Sequence, residues 1–248
     1  MREYTMTRGY RYIETESRHI PKVNGHPCGD VSSCERTAEH TTFILCDGIG
    51  HGVKANIAAQ LATSRFMELL RRGFSLRKAF IAVALASEQA KRTDMPYCAF
   101  TAARVLNDGL ATILGYEAPG ALYVTPRNAT LLNRRHESVS GAIITEANCY
   151  LENGEGLILV SDGITQAGLG RGLVNGWTDE GLAKFVDSHL GTGSGGGIAE
   201  LPGMILEQAI TYWGPKRGDD CSVLLAMSRK GTVVTILTGP RSEERRVG

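Results

Sequence analysis

The stretch TTFILCDGIGHGVKAN, residues 41–56, decides the fold. Its β-forming run Thr41–Cys46 stops at Asp47; glycines follow at 48, 50 and 52, and a helical pattern opens at Val53. An apolar run of that length ending on a carboxylate is how a buried strand presents an acid at the edge of a sheet. The arrangement recurs along the chain. Asp30 lies in PCGDVSS, Asp162 ends the run GLILVSD, and Asp219 stands before CSVLLAM in GDDCSVLLAM. A single Asp of this kind starts a turn or caps a helix. Several of them, two followed by Gly, also suit oxygen ligands gathered for hard divalent cations. On pattern alone both readings stand.

Outward from this stretch, VKANIAAQLATSRFMELLRR predicts a helix with Ile57, Leu61, Phe66, Leu69 and Leu70 as its apolar stripe, and His51 and Lys54 beside its N-terminus. A second helix is expected from Ser75, whose hydroxyl can cap it, with Leu76, Phe80, Val83 and Leu85 inward. From Tyr97 the period shortens. YCAFTAARVL, GLATILGYE, ALYVT, NATLLN and GLILV read as strands separated by turn signals. Helical patterns return at Asp179–His189 and Ile198–Trp213, and the closing runs SVLLAM and TVVTILT are expected to be joined by a turn at Arg229–Gly231. Residues 1–40 read as polar and basic, and GTGSGGG (191–197) as a flexible surface loop with no phosphate-loop lysine after it. This order of elements does not alternate strand and helix, which argues against a doubly wound parallel sheet. An antiparallel α+β sandwich with helices on its outer faces fits better.

The chain has 248 residues, enough for a sizeable core, and its 27 basic and 26 acidic side chains nearly cancel. No electrostatic field points to nucleic acid or an acidic membrane. The sequence holds no 18-residue apolar span and no apolar signal-peptide core, so a cytoplasmic protein is expected. The six cysteines form no CxxC pair, which argues against a zinc site or a disulfide framework. The last eight residues, RSEERRVG, match one reading frame of a common sequencing adapter. The expectation is therefore one domain over residues 1–240, with its core at 26–228, a non-native tail at 241–248, and a natural chain that continues past Pro240.

Taken in order, CGD, DGIGHG, SDG and GDDCSV resemble the motifs of the metal-dependent (PPM, type 2C) protein phosphatases, in particular their bacterial branch typified by the sporulation stage II E phosphatase. The likeness runs from about Gly29 to Met227. It implies an αββα sandwich, two antiparallel sheets each flanked by a helical pair, and a protein serine/threonine phosphatase working through two Mn²⁺ or Mg²⁺ ions. By position, Asp47 matches the carboxylate that bridges both ions, with the Gly48 carbonyl and Asp30 serving the second. Asp162 and Asp219 match the remaining ligands of the first. Asp47, Asp162 and Asp219 are thereby the acids implied in catalysis, acting through metal-activated water. Asp220 matches a neighbour whose role is open.

The chain also departs from the family pattern. Cys28 stands where many relatives have Gly, and His51 is two residues later than the proton donor proposed for eukaryotic members, so helix packing is its expected job. The phosphate-gripping arginine of those members has no clear match; Lys54, at a helix start, is the candidate, and Arg36 a weaker one. Two rival readings are a catalytically silent phosphatase-like binding domain and a nucleotide-binding protein of the GHKL type. The second needs Gly where Ile49 stands. The resemblance implies a phosphorylated regulatory protein as partner, such as a controller of a sigma factor. VKAN, DMPYCAFT and YEAP are similar to a subgroup linked to hydrogenases. A homodimer is left open.

Overall fold

The chain's apolar runs are continuous where an ordinary half-exposed strand would alternate, because most central strands are covered on both faces. The computed structural model describes residues 10–50, 52–191 and 197–231. In chain order the elements are β1 (Arg11–Ile20), β2 (Val31–Arg36), β3 (His40–Gly48), α1 (Val53–Arg71), α2 (Leu76–Arg92), β4 (Cys98–Leu106), β5 (Leu110–Tyr116), β6 (Leu122–Val124), β7 (Ala129–Leu131), β8 (Arg135–Val139) and β9 (Ala142–Tyr150). There follow β10 (Gly156–Val160), α3 (Asp162–Thr165), α4 (Asp179–Gly191), a 3₁₀ turn (Ile198–Glu200), α5 (Leu201–Trp213) and β11 (Cys221–Lys230). They form a five-stranded sheet ordered β1-β11-β10-β6-β7 and a six-stranded sheet ordered β2-β3-β4-β5-β9-β8. Each pairing is antiparallel.

Successive side chains of a strand point to opposite faces, and here both faces are dry. In β3, Phe43 and Leu45 enter the core between the sheets, together with Leu157, Leu159, Leu224 and Ala226 of the opposing sheet. Ile44 and Cys46 point the other way, onto Phe66 and Met67 of α1 and Phe80 and Val83 of α2. Across the molecule, Ile158, Val160, Val223 and Leu225 pack outward against Leu182 and Val186 of α4 and Ile205 and Ala209 of α5. The result is a four-layered α+β sandwich: helical pair, sheet, sheet, helical pair. Among the described residues no helix is long and apolar enough to cross a membrane.

Ser75 caps α2 as expected, accepting from the Lys78 amide at 3.3 Å. Four expectations need correcting. Residues 11–20, read as polar lead-in, form β1, an edge strand paired along its whole length with β11 and burying only Ile13. Residues 135–150, for which no strand was expected, form β8 and β9; the polar β8, whose side chains are mostly exposed, pairs with β9 at the far edge of the six-stranded sheet. Arg229 and Lys230 continue β11 opposite Tyr12 and Arg11, so they make no turn; TVVTILT lies outside the described residues, as do most of GTGSGGG and the 241–248 tail. On α1, Ile57 and Leu61 are 52% and 67% exposed, and the buried face is Ala55, Ala58, Ala59, Thr63, Phe66, Met67 and Leu69. Small residues are required there because α1 starts in direct contact with β3: a Cβ on Gly48 would lie 2.1 Å from the Ala55 carbonyl oxygen.

Candidate metal centre

Strand register brings the acids together. Val31 of β2 pairs with Cys46 of β3, and one step further along the same register sets Asp30 opposite Asp47. In the other sheet Val160 pairs with Val223, and beyond it the Ser161 amide donates to the Ser222 carbonyl at 3.1 Å. The Ser222 amide in turn donates to Ser161 Oγ at 2.9 Å. This doubly tied step leaves Asp162 and the Asp219-Asp220 pair emerging at one end of that sheet. The two sheets meet where the Asp162 amide reaches Asp47 Oδ2 at 3.4 Å.

The glycine after each of two acids is a steric requirement. The Gly48 clash with Ala55 is described above, and a Cβ on Gly163 would lie 1.8 Å from the Asp220 carbonyl oxygen. The Gly163 carbonyl is itself held by the Trp213 indole N–H at 2.8 Å, which fastens α5 to the SDG turn. The Gly48 carbonyl oxygen lies beside the CGD turn, 3.4 Å from where a Cβ of Gly29 would stand.

The electrostatics of the cluster are adverse as it stands. Asp47 is held well above the usual carboxylate range, first by burial and then by the charges of Asp30, Asp162 and Asp219. Burial pushes Asp30 up to about 7, with the Asp220 charge adding to it. Asp219 is pushed up to about 6 by burial and then by Asp162. Asp30 is only 4% exposed, and neither of its oxygens accepts a hydrogen bond among the described residues. The Ser222 and Ser161 hydroxyls lie close enough to favour its charged form, but neither closes a hydrogen bond on it. An unpartnered buried carboxylate costs several kcal/mol unless a cation or a proton compensates it. Clustered oxygen donors of this kind fit Mn²⁺ or Mg²⁺, which take carboxylates and carbonyls and keep several waters. The residues present therefore fit such ions.

A sequence profile of the stage II sporulation protein E (SpoIIE) family matches residues 37–229. The chain belongs to the SpoIIE family. Solved structures of similar fold include the RsbU and RsbW domains of Rv1364c from Mycobacterium tuberculosis, at TM-score 0.73 and 16% identity over 91% of this chain and 62% of that one. The PP2C phosphatase domain of SpoIIE from Bacillus subtilis, with a fragment of its regulatory domain, matches at TM-score 0.74 and 16% identity over 91% of this chain and 64% of that one. RsbX, crystallised with magnesium, matches at TM-score 0.59 and 15% identity over 87% of this chain and 95% of that one. At these identities the likeness is one of fold, a PP2C-type phosphatase fold. This chain spans less than two thirds of the length of the first two. No curated protein matches its sequence.

In this SpoIIE-family chain Asp220 has a visible job. Its Oδ1 accepts from the Lys22 amide at 2.5 Å and its Oδ2 from the Gly29 amide at 2.8 Å. It thus pins both ends of the loop that leads into Asp30. Arg217 holds the same loop at the Pro21 carbonyl (2.8 Å) and at Asn24 Oδ1 (2.5 Å). Gln166 Nε2 donates to Asp162 Oδ2 at 2.8 Å, and the Asp220 amide to Asp219 Oδ1 at 2.9 Å. Lys54 is exposed in the first turn of α1, a helix whose N-cap, Gly52, supplies no side-chain cap. His51 lies outside the described residues. Arg36 sits at the opposite end of β2 from Asp30, over the Tyr12 ring and donating to the Ile13 carbonyl, so it takes no part here.

Sequence reasoning missed three residues at this end of the molecule. The charge of Lys22 lowers the pKa of Asp219. Arg217 is the second. The third is His19, which bridges Ser222 Oγ at 2.7 Å and Ser32 Oγ at 3.0 Å and so ties β1, β11 and β2 together. Arg217 carried a faint signal, lying two residues before Asp219. Lys22 and His19 carried none, because Asp219 and Ser222 lie about two hundred positions further along the chain.

Proposed function

We propose that this chain is a cytoplasmic metal-dependent protein phosphatase that hydrolyses phosphoserine or phosphothreonine on a regulatory partner protein. One observation carries the reading: aspartates from two different sheets meet at one end of the sandwich, and Asp30 among them is buried with both oxygens unpartnered. In the proposed centre Asp47 serves both of two Mn²⁺ or Mg²⁺ ions, Asp30 and the Gly48 carbonyl one of them, and Asp162 and Asp219 the other. Magnesium in the crystal of RsbX supports that choice of ion. Ions held there would lower the pKa of a bound water and offset the charge of the phosphoryl oxygens.

The chain's own side chains orient and hold. Gln166 fixes the rotation of Asp162, and the Asp220 amide that of Asp219. Lys54, at a helix start, and Lys22, beside Asp219, supply positive charge for a phosphate group. Ser161 is no nucleophile: it is buried, and its Oγ is engaged by the Ser222 amide. Attack by water without a covalent enzyme intermediate is consistent with that geometry.

The test is hydrolysis of p-nitrophenyl phosphate and of a phosphoserine peptide with Mn²⁺, with Mg²⁺ and with EDTA. Turnover that needs Mn²⁺ or Mg²⁺ and disappears in EDTA is expected. Absence of turnover together with absence of Mn²⁺ binding overturns the proposal in favour of a silent binding domain.

A further inference from the structure

Cys28 lies two residues before Asp30 in a turn that is held from both sides. Its carbonyl accepts from Asn56 Nδ2 at 2.7 Å, and the next amide, that of Gly29, donates to Asp220 at 2.8 Å. No side chain fits between: a Cβ on Gly29 would stand 2.8 Å from Asp220 Oδ2 and 3.0 Å from Ala55 Cβ. The turn therefore fixes where the Cys28 thiol and the Asp30 carboxylate go. Ligand atoms of Cys28, Asp30 and Asp220 all lie within 4.8 Å of one another. The thiol lies 4.0 Å from Ser222 Oγ and beside the Asp30 amide, both weak contacts for a sulfur.

We propose that Cys28, Asp30 and Asp220 form a binding site for a thiophilic divalent cation of the zinc class. The proximity of the three is one observation. The second is that Asp30, 4% exposed and with one oxygen in this cluster, accepts no hydrogen bond among the described residues. One sulfur and two carboxylates are a donor set that Zn²⁺ accepts at about 2.3 Å for sulfur and about 2.0–2.2 Å for oxygen. Mn²⁺ and Mg²⁺ favour oxygen alone, so the sulfur selects the softer ion. Tetrahedral coordination at those bond lengths puts ligand atoms about 3.5 Å apart, so from separations of up to 4.8 Å the triad has to close by at most about 1.3 Å. On binding, the Cys28 S–H bond breaks, its proton leaves to solvent and a metal–sulfur bond forms, with no change of oxidation state.

Asp220 keeps its two amide partners in this scheme, because each carboxylate oxygen has a second lone pair. The site stands on the triad alone. Only its consequence, that a zinc-class ion and the proposed Mn²⁺ pair compete for Asp30, rests on the phosphatase reading.

Cobalt(II) reports the difference, since thiolate ligation produces a near-ultraviolet sulfur-to-cobalt charge-transfer band that oxygen ligation lacks. Titration of the whole chain with Co²⁺ is expected to raise this band, and Zn²⁺ to abolish it. The band is expected to vanish in Cys28→Ser, with circular dichroism unchanged, and to survive in Cys34→Ser, the control for an exposed thiol. Asp30→Asn is expected to weaken Co²⁺ binding at least tenfold. A wild-type chain without the band, or a band that persists in Cys28→Ser, overturns the proposal. Failure of phosphatase activity with every metal would sink the functional reading and leave the band where it was.

Discussion

The two sheets bring their acids to the centre in different states. On the five-stranded side each carboxylate is already tied: Asp162 by Gln166, Asp219 by the amide of Asp220, Asp220 by the amides of Lys22 and Gly29. On the six-stranded side, among the described residues, Asp30 accepts no hydrogen bond, and Asp47 is met by the Asp162 amide at 3.4 Å and crowded by the Asp30 and Asp162 carboxylates. One half is organised by the chain's own hydrogen bonds, whereas the other carries buried carboxylates whose charges are uncompensated among the described residues. The fold thus separates positioning from charge compensation. Hydrogen bonds within the five-stranded side do the first, and Asp30 and Asp47 carry the electrostatic cost.

The most severe way to break this contrast is Asp47→Asn, at the one acid that faces Asp30, Asp162 and Asp219 together. We expect Mn²⁺-dependent hydrolysis to fall by about three orders of magnitude or more; near-normal turnover would end the two-metal account. Next is Gly48→Ala, which drives a methyl group into the Ala55 backbone and should cost about 3 kcal/mol in urea unfolding. A change below about 0.5 kcal/mol would mean that α1 can shift away from β3.

Asp220→Ala should cost about 2 kcal/mol, because the buried Gly29 amide and the part-buried Lys22 amide lose their acceptor while some repulsion is relieved. Stability equal to wild type would remove Asp220 from the organised half. Smallest and opposite in sign is Asp30→Asn in EDTA, which should stabilise the metal-free protein by about 1 kcal/mol, roughly 2–4 °C in Tm. The same residue predicts a pH dependence. Its folded pKa, about 7, lies above the ordinary 3.8, so the metal-free folded state binds a proton that the unfolded chain has lost. That contribution is complete below the unfolded value and disappears as pH rises through about 7. Wild type in EDTA should therefore melt lower at pH 8 than at pH 5, and Asp30→Asn should flatten the difference. Parallel profiles for the two proteins would show that Asp30 is not the strained member.

The strands beside Asp47, Asp162 and Asp219 were legible in the sequence because both faces of each are buried: TTFILC, GLILV and SVLLAM announce themselves as unbroken apolar runs, whereas β2, after Asp30, has no fully buried side chain. The edge strands were not. RYIETESRHI and RHESV are polar on at least one face, and a strand that buries little leaves little pattern. The stripe on α1 misled for the opposite reason. Bulky Ile57 and Leu61 look like core, but the closeness of α1 to β3 admits only alanine-sized contacts near its start. Asp30, Asp47, Asp162 and Asp219 could be picked out as candidates from local sequence. The tasks of Asp220, Lys22, Arg217 and His19 could not, since each depends on a partner brought close only by folding.

Asp30 and Asp47 face each other because β2 and β3 run in one antiparallel register, and that register is set by the hairpin around Thr37–His40, where the Thr37 amide donates to the His40 carbonyl at 2.9 Å. The hairpin lies at the opposite end of both strands from the acids. Its length therefore works as a remote vernier on the centre. One residue added or removed there slides β2 by a single step, turns Asp30 to the other face of the sheet, and disassembles the carboxylate cluster while every member of it is still encoded. For comparing relatives, an insertion at this distant turn is as telling as a substitution of the aspartates themselves.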